Sequence, residues 1–400
     1  MTVFRPDDAA QVEQVVAWAA AEAQSLEIVG GGSKRALGRP SRADHTLELA
    51  ALCGIVDYDP PELVLTARAA TTMAEIEAQL AAHRQMLAFE PPDWRGLLPS
   101  DAEPTLGGVM ACNLAGPRRV RAGAARDHFL GFSAVNGWGD GWKAGGRVVK
   151  NVTGYDMCKL QAGAYGTLSV MTELSLRVLP RPETSGSLLL PGLADEAAIH
   201  ALTAALNSQH EVSGAAHLPA AMAARAGMAG AVTVLRLEGP HPSVAYRAGA
   251  LESLLGQARR LDADESEALW TRIAAVQPLL GHAGTIVWRV CPTPSAAPAL
   301  LRRIRDRLQS TEAFYDWGGG LLWLSLDAVE AGADCGTALV RAAVAEAGGH
   351  ATLIRAPEPA RELVAVFEPA GGALDALTRR VKGSFDPKHI LNPGRMQEGV

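Results

Sequence analysis

Thr105-Leu-Gly-Gly-Val-Met-Ala-Cys-Asn-Leu-Ala-Gly116 and, further on, Gly163-Ala-Tyr-Gly-Thr-Leu168 decide how this chain reads. Between Gly107 and Gly166 lie 13 glycines, about three times the usual frequency. Glycine lets backbone come close to a ligand and take positive φ, at a cost in chain entropy. A disordered linker would be as glycine-rich, but would lack Val, Leu and Met at strand spacing and the interspersed Asn, Tyr and Asp. The stretch from Pro99 to Pro180 therefore reads as a folded surface along which a large, polyanionic, partly aromatic ligand lies.

Three loops carry the candidate contacts. Gly30-Gly-Gly-Ser-Lys34 follows a short strand, Leu26 to Val29. Its amides can form a nest for a pyrophosphate, and read alone it is equally an ordinary tight turn, the commoner case. It is neither a P-loop nor a Rossmann fingerprint: the required spacing is absent and Arg35 stands where the third glycine would be. In the second loop Gly107 and Gly108 admit close backbone approach and Thr105 and Asn113 offer neutral hydrogen bonds. Arg118, Arg119 and Arg121 supply positive charge for a diphosphate, or form a solvated basic turn. The third loop, Gly145 to Asp156, offers Lys150 and Asn151, with Tyr155 and Asp156 behind them as binding groups or a packed tyrosine and a structural salt bridge.

The surroundings narrow the class. The chain has 400 residues, 48% of them hydrophobic and 20% charged, which suits two or three globular domains. A net charge of −6 without a basic block argues against nucleic acid. No stretch is long and apolar enough for a transmembrane helix, and the N-terminal residues lack a signal-peptide core, so a cytoplasmic location is expected, with peripheral attachment through partners as the alternative. Five scattered cysteines with no C-x-x-C give neither a disulfide framework nor a zinc or iron–sulfur site. His210 and His217 share a metal-like spacing with only Glu211 between them to help; no metal site is expected. No nucleophile–base or paired-carboxylate motif stands out, so difficult chemistry would fall to a cofactor.

Before Pro180, Pro6 to Glu22 reads as a helix, and Thr72 opens another with a capping box to Glu75. The segment closes in a strand, Leu168 to Leu179, whose alternation predicts half burial. After Pro182 strands and helices alternate, which reads as an antiparallel sheet covered by helices on one side. The expected fold class is α+β.

Val29-Gly-Gly-Gly-Ser33, Pro104-Thr-Leu-Gly-Gly108 with Asn113 and Gly116, Arg126-Asp127, Val149 to Asp156, Gly163 to Leu168, and the ending Phe385-Asp-Pro-Lys-His-Ile-Leu-Asn-Pro-Gly394 together resemble flavoproteins of the vanillyl-alcohol oxidase/p-cresol methylhydroxylase (PCMH) type. Ile286 to Arg289, Asp316 to Gly320 and Gly348 to Ala351 are similar to the FAD-binding subunits of glycolate oxidase complexes within that group. The resemblance implies a two-part FAD-binding domain over residues 1–182, divided near 55, an α+β cap domain over 183–372, and a tail, 373–400, returning to the FAD domain. It implies FAD held by Gly30, Gly31, Gly32, Ser33, Lys34, Pro99, Thr105, Leu106, Gly107, Gly108, Asn113, Gly116, Arg118, Gly163, Gly166, Thr167, Leu168, Val170 and Asn392. The attachment would be non-covalent, since Ser33 and Lys34 stand where relatives carry an FAD-linked histidine. Also implied are a larger flavoprotein subunit and an iron–sulfur subunit as partners in oxidising glycolate, a small 2-hydroxy acid, to glyoxylate. Two alternatives stay open: a stand-alone FAD-dependent dehydrogenase of a 2-hydroxy acid or alcohol, and a non-catalytic assembly subunit. Arg289 is either a carboxylate anchor or part of a structural salt bridge.

Overall fold

Asp8 caps the first helix, Ala9–Glu22, by accepting the Gln11 N–H at 2.8 Å. The helix starts later than the proline signal at Pro6 suggests, because the cap lies two residues further on. It buries Val12, Val16 and Ala19 against a three-stranded parallel sheet in the order Val3–Phe4, His45–Glu48, Leu26–Val29. The computed structural model describes residues 1–147, 154–281 and 284–398. Lys150 and Asn151 of the predicted third loop lie outside the described residues; Asp156 lies within them and pairs with Lys159 at 2.6 Å.

A second sheet, antiparallel, runs Ile55–Asp59, Val64–Arg68, Ser169–Arg177, Phe129–Asn136, Gly141–Gly145. Its central strand, Ser169–Arg177, is buried on both faces rather than half buried. Val170 enters the small core under the first helix, and Met171, Leu174 and Leu176 enter the large one. Helix Met73–Ala82 is capped by Thr72, whose hydroxyl accepts the Glu75 N–H. The short helix Leu106–Ala111 follows Thr105.

Eight antiparallel strands form the sheet beyond Pro182, in the order Arg259–Leu261, Thr184–Pro191, Val232–Gly239, Gly214–Leu218, Glu312–Asp316, Leu321–Leu326, Ile286–Pro292, Gly349–Arg355. Alternation along these strands separates two cores. Trp288, Leu322 and Leu324 face one core, with Leu202, Leu251, Leu301 and Val340 of the covering helices. Val287, Leu321 and Trp323 face the other core, which they share with Trp94, Leu106 and Val109 of the glycine-rich half. The expectation of helices on one side is corrected here. Helix Ala263–Ala274 packs Leu269, Trp270 and Ile273 on the second face.

The two halves are therefore locked across a continuous core. Trp94 meets Trp323 edge-on at 5.5 Å and donates its indole N–H to the Ala274 carbonyl. Arg118 and Arg236 grip Glu238 and Glu90 across the same junction. Among the described residues no helix is long and apolar enough to cross a membrane.

The tail turns back through helix Gly372–Phe385. Lys382, 2% exposed, donates to the Asp386 carboxylate, the Thr167 carbonyl and the Leu391 carbonyl. Asp386, wholly buried, also accepts the Ile390 and Leu391 amides. This clamp lays residues 390–392 beside strand Leu26–Val29, where Leu26 and Asn392 exchange backbone hydrogen bonds with Ile390 and Leu26.

Candidate cofactor site

Strand Leu26–Val29 runs directly into Gly30–Lys34, and the loop folds onto Thr105. A Cβ on Gly30 would lie 2.7 Å from Thr105 Oγ1, and one on Gly31 would lie 2.2 Å from the Glu103 carbonyl. Gly32 has φ +88°, a conformation in which side chains are strained. None of the five backbone N–H groups from Gly30 to Lys34 donates a hydrogen bond to a described residue. Unpaired amides in succession are costly unless an acceptor fills them, and such a nest suits an anion.

Cations close the cradle. Lys34 Nζ donates to Ser33 Oγ at 3.0 Å, and Arg395 donates to the Lys34 carbonyl at 2.9 Å. Burial pushes both the Lys34 and the Arg395 pKa down from their ordinary values, a cost that a bound anion would relieve. Among the described residues Glu27 is the one carboxylate lining this pocket; it pairs with Arg35 and lies 4.0 Å from Arg395. Asn392 joins the walls: its Oδ1 accepts the Ile28 N–H and its Nδ2 donates to the Tyr165 carbonyl, both at 2.8 Å. Tyr165 and Asn392 both take positive φ, a strain that accumulates where surrounding structure enforces it. Five amides without a partner among the described residues, a lysine and an arginine around one concavity fit a diphosphate.

The structure gathers Gly30, Gly31, Gly32, Ser33, Lys34, Thr105, Gly108 and Asn392 around this pocket. Gly166 stands at its edge, its Cβ position 2.8 Å from Asn392 Nδ2. Other predicted residues serve the framework. Leu106 and Val170 are fully buried core residues. Gly107 donates to the Ala69 carbonyl and Gly116 to the Phe89 carbonyl, each with its own backbone packed close. Asn113 Oδ1 accepts the Arg126 amide. Gly163 bonds Met110, and Thr167 bonds Ala164 and, through its carbonyl, Lys382. Leu168 is buried beneath this segment. Pro99 lines a neighbouring cleft with Gly32 and Arg361. Arg118 lies away from this pocket: its Nε and Nη2 donate to Glu238 at 3.0 and 2.8 Å, pairing the two halves. Arg121 pairs with Glu211.

Arg395 escaped the sequence reading, while Cys112 and Tyr165 lie within the stretches Thr105 to Asn113 and Gly163 to Leu168 without having been singled out. Arg395 follows Asn392-Pro-Gly394 directly, and that adjacency was the available signal. Cys112 is half-buried, and desolvation pushes its thiol up to about 11.

A second cluster lies where the cap sheet meets the glycine-rich half. Trp317, at φ +53°, donates its backbone N–H to Asp316 Oδ1 at 2.7 Å and its indole N–H to the Gly116 carbonyl at 3.1 Å. The guanidinium carbons of Arg119 and Arg289 lie over its ring at 4.6 and 4.9 Å from the centroid. Asp316 is 3% exposed, and burial, reinforced by nearby Glu90, raises its pKa to about 7. A carboxyl raised in the folded state contributes stability that is fully present below its unfolded pKa, about 3.9, and is lost as pH rises through about 7. Asp316→Asn keeps the acceptor for Trp317 and removes the charge. It should flatten the decline over that window and leave the variant more stable than the parent at pH 8. Denaturant unfolding at pH 4, 6 and 8 checks this; an unchanged pH dependence contradicts it.

Residues 2–145 match the FAD binding domain family, and residues 366–396 match the C-terminal domain of FAD linked oxidases. The chain is 36% identical over 372 residues to the glycolate oxidase subunit GlcE of Escherichia coli K12, covering 93% of this chain and 92% of that one. A shorter match, 38% over 101 residues, links 25% of this chain to 21% of the glycolate oxidase subunit GlcD of Bacillus subtilis 168. Among solved structures, a 4-ethylphenol oxidase from Gulosibacter chungangensis superposes with a TM-score of 0.74 at 13% identity, covering 99% of this chain and 88% of that one. The fold is thus of the PCMH type. Since the likeness to GlcE is sustained over nearly the whole of both chains, the chain belongs to the GlcE subunit family of FAD-linked oxidases.

Proposed function

We propose that this chain is the FAD-binding subunit of a glycolate oxidase-type complex and takes part in oxidising glycolate to glyoxylate. The observation that carries the reading is the row of free amides from Gly30 to Lys34, closed by Lys34 and Arg395. The FAD diphosphate would sit on those amides, with Thr105 and Gly108 behind them and Asn392 fixing the wall. When bound, FAD supplies the two-electron acceptor that the side chains lack. Ser33 and Lys34 stand where an FAD-linked histidine would be expected, which supports non-covalent attachment. The partners are a GlcD-like flavoprotein subunit and an iron–sulfur subunit, and any membrane contact is made through them.

Purified chain should carry flavin, or take up added FAD with a rise in Tm. FAD at about a hundred times its Kd adds about 2.7 kcal/mol to stability. Absence of both flavin absorbance and the Tm rise would favour an assembly subunit. Reduction of the isolated, FAD-loaded chain by glycolate would favour a stand-alone dehydrogenase. Co-purification from the native host with both partners, flavin and iron counted per complex, supports the subunit reading.

A further inference from the structure

The cluster around Trp317 has a charge imbalance that neither the core nor the diphosphate cradle uses. Arg119 comes from the short helix Arg119–Ala122, and Arg289 from strand Ile286–Pro292 of the cap sheet. Neither guanidinium donates a hydrogen bond or meets a carboxylate within 4.0 Å among the described residues. Their neighbours behave differently: Arg118, Arg121 and Arg236 each hold a glutamate. Burial and the adjacent Arg289 push the Arg119 pKa down, and burial with both arginines pushes the His350 pKa down. The acids around them are engaged elsewhere: Asp316, within reach of the Arg289 charge, accepts the Trp317 amide. Glu368 binds Arg341 and the Ala351 amide, and Asp127 caps Ala124. Half-buried arginines without a counter-ion are unfavourable until an anion joins them.

The geometry is also preset. Stacking on an indole holds each guanidinium face while leaving its edge N–H donors free. Trp317 is itself fixed in a strained backbone conformation by Asp316 and Gly116.

We infer that Arg119 and Arg289 form a carboxylate-binding site, the planar fork of each matching the two oxygens of a small 2-hydroxy acid anion. The inference rests on the function proposed above and adds that the acid's carboxylate is held by this chain rather than only by a partner. Trp317 positions the pair.

The test uses the full-length chain loaded with FAD and titrated with glycolate and with oxalate by calorimetry. The parent should bind both saturably, and glycolamide, which lacks the charge, should not compete. Arg119→Met and Arg289→Met should each weaken binding by about 10- to 100-fold with flavin content unchanged, and Arg289→Lys should recover part of the loss. Equal binding by parent and variants overturns the site, as does absence of binding to the parent. Inorganic phosphate competing as well as oxalate overturns the carboxylate assignment. Loss of flavin in the Met variants would show that the arginines serve the cofactor instead. A parent that holds no flavin defeats the function proposed above, and its titration without FAD still decides this site.

Discussion

Gly108→Val should give a folded chain that no longer holds FAD. A Cβ at Gly108 would sit 3.3 Å from Thr105 Oγ1 and 3.6 Å from Lys34 Cδ, on the wall of the cradle. The two further methyls of valine have to occupy space that the diphosphate needs, or displace Lys34. No backbone clash is introduced, so the effect on folding should stay within about 1–3 kcal/mol. Gly107 behaves differently although it is adjacent. Its Cβ would come 2.9 Å from the Ala69 carbonyl oxygen, which already accepts a hydrogen bond from the Gly107 N–H. Gly107→Val should therefore destabilise the chain itself, and any loss of flavin there reports folding. Flavin counted per chain, alongside far-UV circular dichroism and Tm, separates the two. Stoichiometric flavin in folded Gly108→Val would refute the cradle.

Lys382→Met should be the more damaging change. Its ammonium is the cation bonded to Asp386, a carboxylate with no exposed surface, and it also satisfies two carbonyls. Removing one partner of a buried ion pair leaves the other charge uncompensated, which costs about 3–5 kcal/mol. The loss should reach the cofactor as well, because Asp386 shapes the turn that delivers Asn392 and Arg395. Burial already lowers the Lys382 pKa, opposed by Asp386. Removing both charges with Lys382→Met and Asp386→Leu should be less harmful than the two single changes added together. Chemical unfolding and FAD affinity of the four proteins form the cycle; additive effects would show that the pair is not a unit.

Much of this was legible in the residues. The glycine loops pointed to a folded surface for a large anionic ligand, because positive φ and close packing leave few substitutes, and the resemblance to PCMH-type flavoproteins implied FAD. Thr72 and Glu75 announced a helix start that the structure keeps, since capping is local. What escaped depends on distant partners. Nothing near Arg118 in sequence shows that Glu238 takes its charge, and nothing near Val170 shows that a second core covers it. The two-sided burial of the cap sheet was hidden likewise: strand alternation reveals two faces but not what lies against each. Trp317 and Arg289 were both visible as residues, yet their stacking joins a turn and a strand that no spacing rule connects.

The seam between Leu26 and Leu391 has a consequence for biosynthesis. The Ile28 amide and the Asn392 side chain that caps it are 364 positions apart. The opposite wall of the glycine nest is therefore synthesised 364 positions after the strand that leads into it. Synthesis proceeds at roughly 5–20 residues per second, so the nascent nest waits tens of seconds with its wall missing. A diphosphate at this nest would meet a complete cradle only once residue 392 has been made and has folded back onto the strand.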